Sequence, residues 1–139
     1  MPVDVNLVAD RLQGYLMANF NYRQPNVYHF GKLIYAKRKK YDLMLRIYED
    51  EIGWPKDSLI IARIQFVPER KGYGTHFLRW LTQIAEEFKL TTIWLERANP
   101  NAVAFGEKFG FHKSVKENMD LSALVDMSIE TSSVPTLDS

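Results

Sequence analysis

The sequence predicts an α+β fold, a mixed, mostly antiparallel sheet with helices packed on it. Three observations carry this. Segments 27–37, 41–49 and 58–67 are rich in β-branched and aromatic residues and are separated by short connections, the pattern of consecutive antiparallel strands. Phe77, Leu81, Ile84 and Phe88 then recur at helical spacing directly after two glycines. A second helical stretch, opened by Asn99-Pro100 and closed by Gly110, precedes two more strand-like runs.

Each element has its own signal. Residues 4–20 read as an amphipathic helix, with Val8, Leu12, Tyr15 and Leu16 on one face and Asp4 as N-cap. Residues 21–26, with Pro25, form a connection. The three strands follow, the first pair joined by Lys37-Arg38-Lys39-Lys40 and the second by residues 49–57. After the second helix, Thr91 to Glu96 is a short apolar strand; a helical crossover from strand 58–67 should place it parallel to that strand and right-handed. Phe111–Lys116 and Leu124–Glu130 read as the last two strands, and residues 131–139 as a short polar, flexible tail. The expected order is α–β–β–β–α–β–α–β–β within one domain spanning residues 1–130.

Composition bounds the function. A chain of 139 residues with 46% hydrophobic and 25% charged residues is an ordinary globular length and balance. A net charge of +1 does not favour wholesale binding to nucleic acid or a membrane surface. The absence of cysteine removes disulfides, a thiolate nucleophile and Cys-ligated zinc. His29, His76 and His112 are too widely spaced for a helical ligand pair, so no metal is expected. No apolar run reaches the length of a membrane span and no signal-peptide pattern opens the sequence, so a cytoplasmic protein is expected.

The stretch Phe66-Val67-Pro68-Glu69-Arg70-Lys71-Gly72-Tyr73-Gly74-Thr75 carries the first candidate chemistry. An apolar strand runs through a charged turn and two glycines into a helix. That order presents unpartnered backbone N–H groups at a positive helix N-terminus, where a phosphate or pyrophosphate fits. The glycines also let a ligand come close to the backbone. Read alone, the same stretch is equally a tight strand-to-helix turn.

Two segments together resemble the GNAT superfamily of acyl-CoA-dependent N-acetyltransferases. One is the glycine stretch, similar to the family's phosphate-binding loop. The other is Asn99-Pro100-Asn101-Ala102-Val103-Ala104-Phe105-Gly106-Glu107-Lys108-Phe109-Gly110-Phe111, similar to its later helix. Thr92-Ile93-Trp94-Leu95-Glu96 resembles the strand between them, and Asp126–Glu130 the last strand, so the resemblance covers about residues 58–130. The family usually begins with a strand before the first helix; none is visible here, so the N-terminal part is reduced.

The resemblance implies that acetyl-CoA is the acyl donor. It places the pyrophosphate on the backbone of Arg70, Lys71, Gly72, Tyr73, Gly74 and Thr75. Pantetheine would lie along the strand edge near Phe66 and Val67, with Asn99 and Phe105 contributing from the later helix. Two departures stand out. The loop's usual Gln or Arg slot holds Glu69, one place before Arg70. The helix slot that often holds a thiolate-protonating tyrosine holds Gly106. A positioned acid is worth about 3–5 kcal/mol, whereas holding amine and thioester together supplies about 7–11 kcal/mol, so its loss leaves room for slow transfer.

Amine attack needs a base. Glu96, in a Trp-Leu-Glu sequence similar to the branch acetylating protein N-termini, is the implied catalytic residue; its plain alternative is a charged strand end. His76 reads as a helix-surface histidine, Lys37–Lys40 as a solvated turn, and Glu49-Asp50-Glu51 as loop solvation or the lining of an entrance for a cationic amine. Tyr28, Tyr35 and Tyr48 read as sheet-packing residues, although one facing the acetyl site would contact the acceptor. The acceptor is a primary amine on a protein, peptide or small molecule. Nucleic acid and membrane are not expected as partners, and a homodimer is left open. The rival reading, from a different class, is a GNAT-fold module that binds CoA or protein without catalysis.

Overall fold

The computed structural model describes residues 3–49, 56–67, 72–98, 100–113 and 125–131. The first helix, α1 (Val5–Phe20), starts where Asp4 accepts a hydrogen bond from the Leu7 N–H through its carboxylate, and ends at Asn21 in the left-handed region. Its buried stripe is Val8, Ala9, Leu12, Leu16 and Phe20. Gln13 ties the helix to the sheet, its side-chain oxygen accepting from the N–H groups of Asn26 and Val27 at 2.7 and 3.0 Å.

Four antiparallel strands follow, one more than the pattern suggests. Strand β1 (Val27–Phe30) and β2 (Leu33–Arg38) are separated by Gly31-Lys32, so the expected single strand 27–37 is a two-residue hairpin. The reason is backbone geometry: Gly31 has φ of 58°, which reverses the chain within a run of β-favouring residues. Then come β3 (Tyr41–Tyr48) and β4 (Ser58–Phe66), helix α2 (Tyr73–Glu87), β5 (Thr92–Ala98), helix α3 (Pro100–Phe109), β6 (His112–Lys113) and β7 (Val125–Glu130). The seven strands form one sheet in the order β1-β2-β3-β4-β5-β7-β6. Only β4 and β5 run parallel; every other pair is antiparallel. Residue 99, residues 114–124 and the polar tail from 132 onward lie outside the described residues.

One sheet face buries the core. Ile34 and Ala36, then Tyr41, Leu43, Leu45 and Ile47, then Leu59, Ile61 and Phe66, then Ile93, Leu95, Met127 and Ile129 are all buried. All three helices pack on this face. Phe20 of α1 lies against Tyr41 and Phe66, Phe77 of α2 against Phe66, and α3 against Leu95 and Met127. Tyr15 bridges α1 and α2, its ring 4.6 Å from Trp80 and 5.7 Å from Phe77.

Strand β4 contains a bulge that sets up the site. Leu45 is opposite Ile61, but Met44 is opposite Arg63, leaving Ala62 as an extra residue. The buried positions therefore slip from Leu59 and Ile61 to Phe66, and β4 stays paired to β3 as far as Phe66. Among the described residues, no helix is long and apolar enough to cross a membrane.

Candidate active site

Parallel pairing between β4 and β5 runs from Ser58–Thr92 to Ile61–Leu95 and stops. Beyond that point β4 follows β3 through the Ala62 bulge, while β5 follows β7 through an irregularity of its own between Leu95 and Ala98. The two strands part there. Among the described residues, no strand pairs with residues 62–66 on the β5 side, which leaves backbone donors and acceptors for an extended ligand.

The start of α2 lies at the same end of β4. Gly72 caps the helix with φ of 81° and supplies no side-chain hydrogen bond to its first turn. Among the described residues, no side chain caps the N–H groups of that turn, an arrangement that suits an anion. An aromatic cluster fixes the junction. The Tyr73 ring stands 5.4 Å from Phe20 and 6.2 Å from Phe66, and Phe20 and Phe66 stack 5.7 Å apart. The end of α1, the end of β4 and the start of α2 are thereby held as one piece.

The two glycines are required for different reasons. Gly72 has open space where a Cβ would stand, so its positive φ is what excludes other residues. Gly74 is in an ordinary conformation, but a Cβ there would be 3.0 Å from Phe105 Cζ. Phe105 of α3 is thus placed directly on the glycine turn. Among the other expected cofactor contacts, Thr75 is half-buried in the first turn of α2. Phe66 is buried in the aromatic cluster. Val67 is exposed, and its N–H is already donated to the Lys40 carbonyl at 2.9 Å; the strand left for a ligand is 62–66. Glu69, Arg70, Lys71 and Asn99 lie outside the described residues.

Gly106 faces inward. A Cβ at this position would be 2.9 Å from Leu95 Cδ1 and 3.0 Å from Met127 Sδ. The helix has settled onto the sheet where a larger residue would hold it off.

Glu96 lies on the sheet face opposite the helices, just past the last β4–β5 pair. Register aligns Arg46, Ile60, Trp94 and Ser128 in one row across that face, and Glu96 is two residues further along β5 than Trp94. Arg46 reaches over β4, its Nη1 donating to both carboxylate oxygens of Glu96 at 3.3 and 3.2 Å. The side chains are 38% and 17% exposed. Sequence inspection cannot find this partner, because 50 residues separate the two.

The first turn of α2 holds one more contact. His76 is exposed, but its Nδ1 is 2.6 Å from the Tyr15 hydroxyl and the rings stack 5.7 Å apart. Burial pushes the Tyr15 hydroxyl up to about 12. The pair links α1 to the start of α2. Among the described residues, no three His, Asp or Glu side chains gather as a metal would need.

A family model described as the acetyltransferase (GNAT) family matches residues 68–111, from the glycine turn to the end of the later helix. No curated protein matches the sequence. Among solved structures, the ribosomal-protein-S18-alanine N-acetyltransferase from Escherichia coli is 19% identical, with a TM-score of 0.53 over 74% of this chain and 72% of that one. GCN5 from Tetrahymena is 13% identical, with a TM-score of 0.54 over 91% and 84%. PaiA N-acetyltransferase from Thermoplasma acidophilum, solved in complex with coenzyme A, is 15% identical, with a TM-score of 0.51 over 86% and 69%. The fold is that of GNAT N-acetyltransferases, in agreement with the resemblance carried by the glycine stretch and Asn99–Phe111.

Proposed function

We propose that the protein is an acetyl-CoA-dependent N-acetyltransferase of the GNAT superfamily, acting on a primary amine by direct transfer, in the cytoplasm. The single observation that carries this reading is the coincidence of two features at one end of β4. The strand loses its parallel partner after Ile61, and the N-terminus of α2, with no side-chain cap among the described residues, begins just beyond. A long thin ligand with a phosphate group at one end suits that pair of features.

The chain's own groups then have defined tasks. Backbone amides of Gly72, Tyr73, Gly74 and Thr75, with Arg70 and Lys71, take the pyrophosphate. Asn99 and Phe105 approach from α3, and Phe105 also shapes the turn by its contact with Gly74. The open edge at 62–66, leading to Phe66 and Val67, takes the pantetheine amides. Glu96 accepts the proton of the ammonium, directly or through a water, so that the nitrogen has a lone pair with which to attack the thioester carbonyl. The carbon–sulfur bond breaks as the amide forms, and the thiolate takes its proton from solvent. With Gly106 turned into the core, the rate rests mainly on holding the two reactants together, worth about 7–11 kcal/mol.

Gly106 also favours a second reading, a GNAT-fold module that holds CoA or a protein without turnover. Calorimetry with acetyl-CoA, followed by thiol release over a panel of amines, separates the two. Binding with acceptor-dependent thiol release, lost in Glu96→Gln, is expected for the enzyme. Binding with no release supports the module, and no binding at millimolar acetyl-CoA overturns both CoA readings.

A further inference from the structure

The pair formed by Arg46 and Glu96 lies where the β4–β5 pairing ends, on the face away from the helices. The geometry points to an acceptor that is an α-amino acid, with Glu96 taking its ammonium and Arg46 its carboxylate. This rests on the acetyl-transfer reading above and narrows the acceptor it leaves open.

Three observations support the assignment. The helical face is occupied: α2 and α3 meet on it through Gly74 and Phe105. The opposite face, among the described residues, carries no helix, and Glu96 and Arg46 lie on it. Next, the two charges are joined end-on. One guanidinium nitrogen serves both carboxylate oxygens, in place of the two-nitrogen fork that makes arginine–carboxylate pairs strong. Among the described residues, Arg46 donates to no other group, so most of its donor fork is uncommitted. Finally, both side chains keep solvent access at 38% and 17%, so a ligand can reach them.

Chemistry then selects the ligand. A simple amine arriving at Glu96 competes with Arg46 and strands a guanidinium at a partly desolvated site, which is unfavourable. An ammonium with a carboxylate one carbon away gives each member of the pair a new partner of opposite charge. Arg46 is in this sense a specificity-determining residue. A protein N-terminus, whose neighbouring carbonyl is an amide, leaves Arg46 without a counter-charge.

The test uses the full chain with three matched acceptors: L-phenylalanine, L-phenylalaninamide and phenethylamine. The free acid should exceed the amide and the amine in kcat/KM by on the order of 10- to 100-fold, mainly through KM. Arg46→Gln should reduce that preference to within about threefold, and Arg46→Lys should retain part of it. Equal use of acid and amide by the natural chain, or an undiminished preference in Arg46→Gln, overturns the inference. If none of the three is acetylated, the transfer reading is judged by the wider amine panel, and binding decides the matter here. Saturable calorimetric binding of phenylalanine but not its amide, lost in Arg46→Gln, upholds the paired-charge site. Binding of none of them overturns it.

Discussion

Gly106 of α3 stands so close to Leu95 of β5 that a Cβ on it would lie 2.9 Å from the leucine Cδ1. The same Cβ would be 3.0 Å from Met127 Sδ. Restoring the tyrosine of the resembling family at this slot therefore overpacks the helix–sheet interface. Gly106→Tyr should lower stability by about 1–3 kcal/mol or more and leave any transfer rate no higher. Gly106→Ala should be milder, because both neighbours are side-chain ends that can shift. Urea midpoints of the two variants, beside their thiol-release rates, check this.

The glycine turn should respond differently at its two glycines. Gly72→Ala forces an L side chain into φ of 81°, a cost of roughly 1–2 kcal/mol, and should weaken acetyl-CoA binding by loosening the first turn of α2. Gly74→Ala acts through Phe105. Combined with Phe105→Leu, its effect should be less than additive, with an interaction energy of about 0.5 kcal/mol or more in a double-mutant cycle. Strict additivity would mean that the ring and the turn are not coupled.

Alkaline pH should loosen the link between α1 and α2. The Tyr15 hydroxyl is raised from 10.0 to about 12 by burial, so the fold favours the protonated form. Stability from this group is whole below pH 10 and declines as pH rises from 10 towards 12. With the ring only half-buried, the loss should be about 1 kcal/mol after allowance for solvent screening. Comparing urea midpoints from pH 9 to 12 should show a steeper decline in the natural chain than in Tyr15→Phe.

The β1–β2 turn gives a simpler test. Gly31 at φ of 58° should cost about 1 kcal/mol when replaced by alanine. Asn should be tolerated better there, since it enters the left-handed region more readily. Thermal midpoints of Gly31→Ala and Gly31→Asn would rank them.

Local chemistry made much of the molecule legible in the sequence. Asp4 marked the start of α1, the Phe77–Phe88 stripe marked α2, and Pro100 with Gly110 bracketed α3. The Gly31 hairpin is hidden because β-favouring residues continue on both sides of it, and only the glycine signals the reversal. The Ala62 bulge did leave a trace, since the apolar positions of β4 move from Leu59 and Ile61 to Ile64 and Phe66. A slip of one in an alternating pattern is what an inserted residue produces. The Arg46–Glu96 pair left none, because β3 and β5 become near neighbours only through the order of the sheet. Glu96 alone reads as a strand end, and its partner comes from topology.

The strand order also bears on how the chain reaches this state. Strands β1 to β4 pair with their neighbours in sequence, and their loops are short. Pairing β4 with β5 must instead close a loop containing all of α2, and β5 meets β7 only across α3 and the segment beyond it. Closures of that kind are the slow ones in folding. The N-terminal meander can therefore assemble while the C-terminal strands are still apart, and pulse-labelled hydrogen exchange should protect Leu43 and Ile47 before Ile93. The parting of β4 from β5 is then a seam between an early and a late half of the molecule.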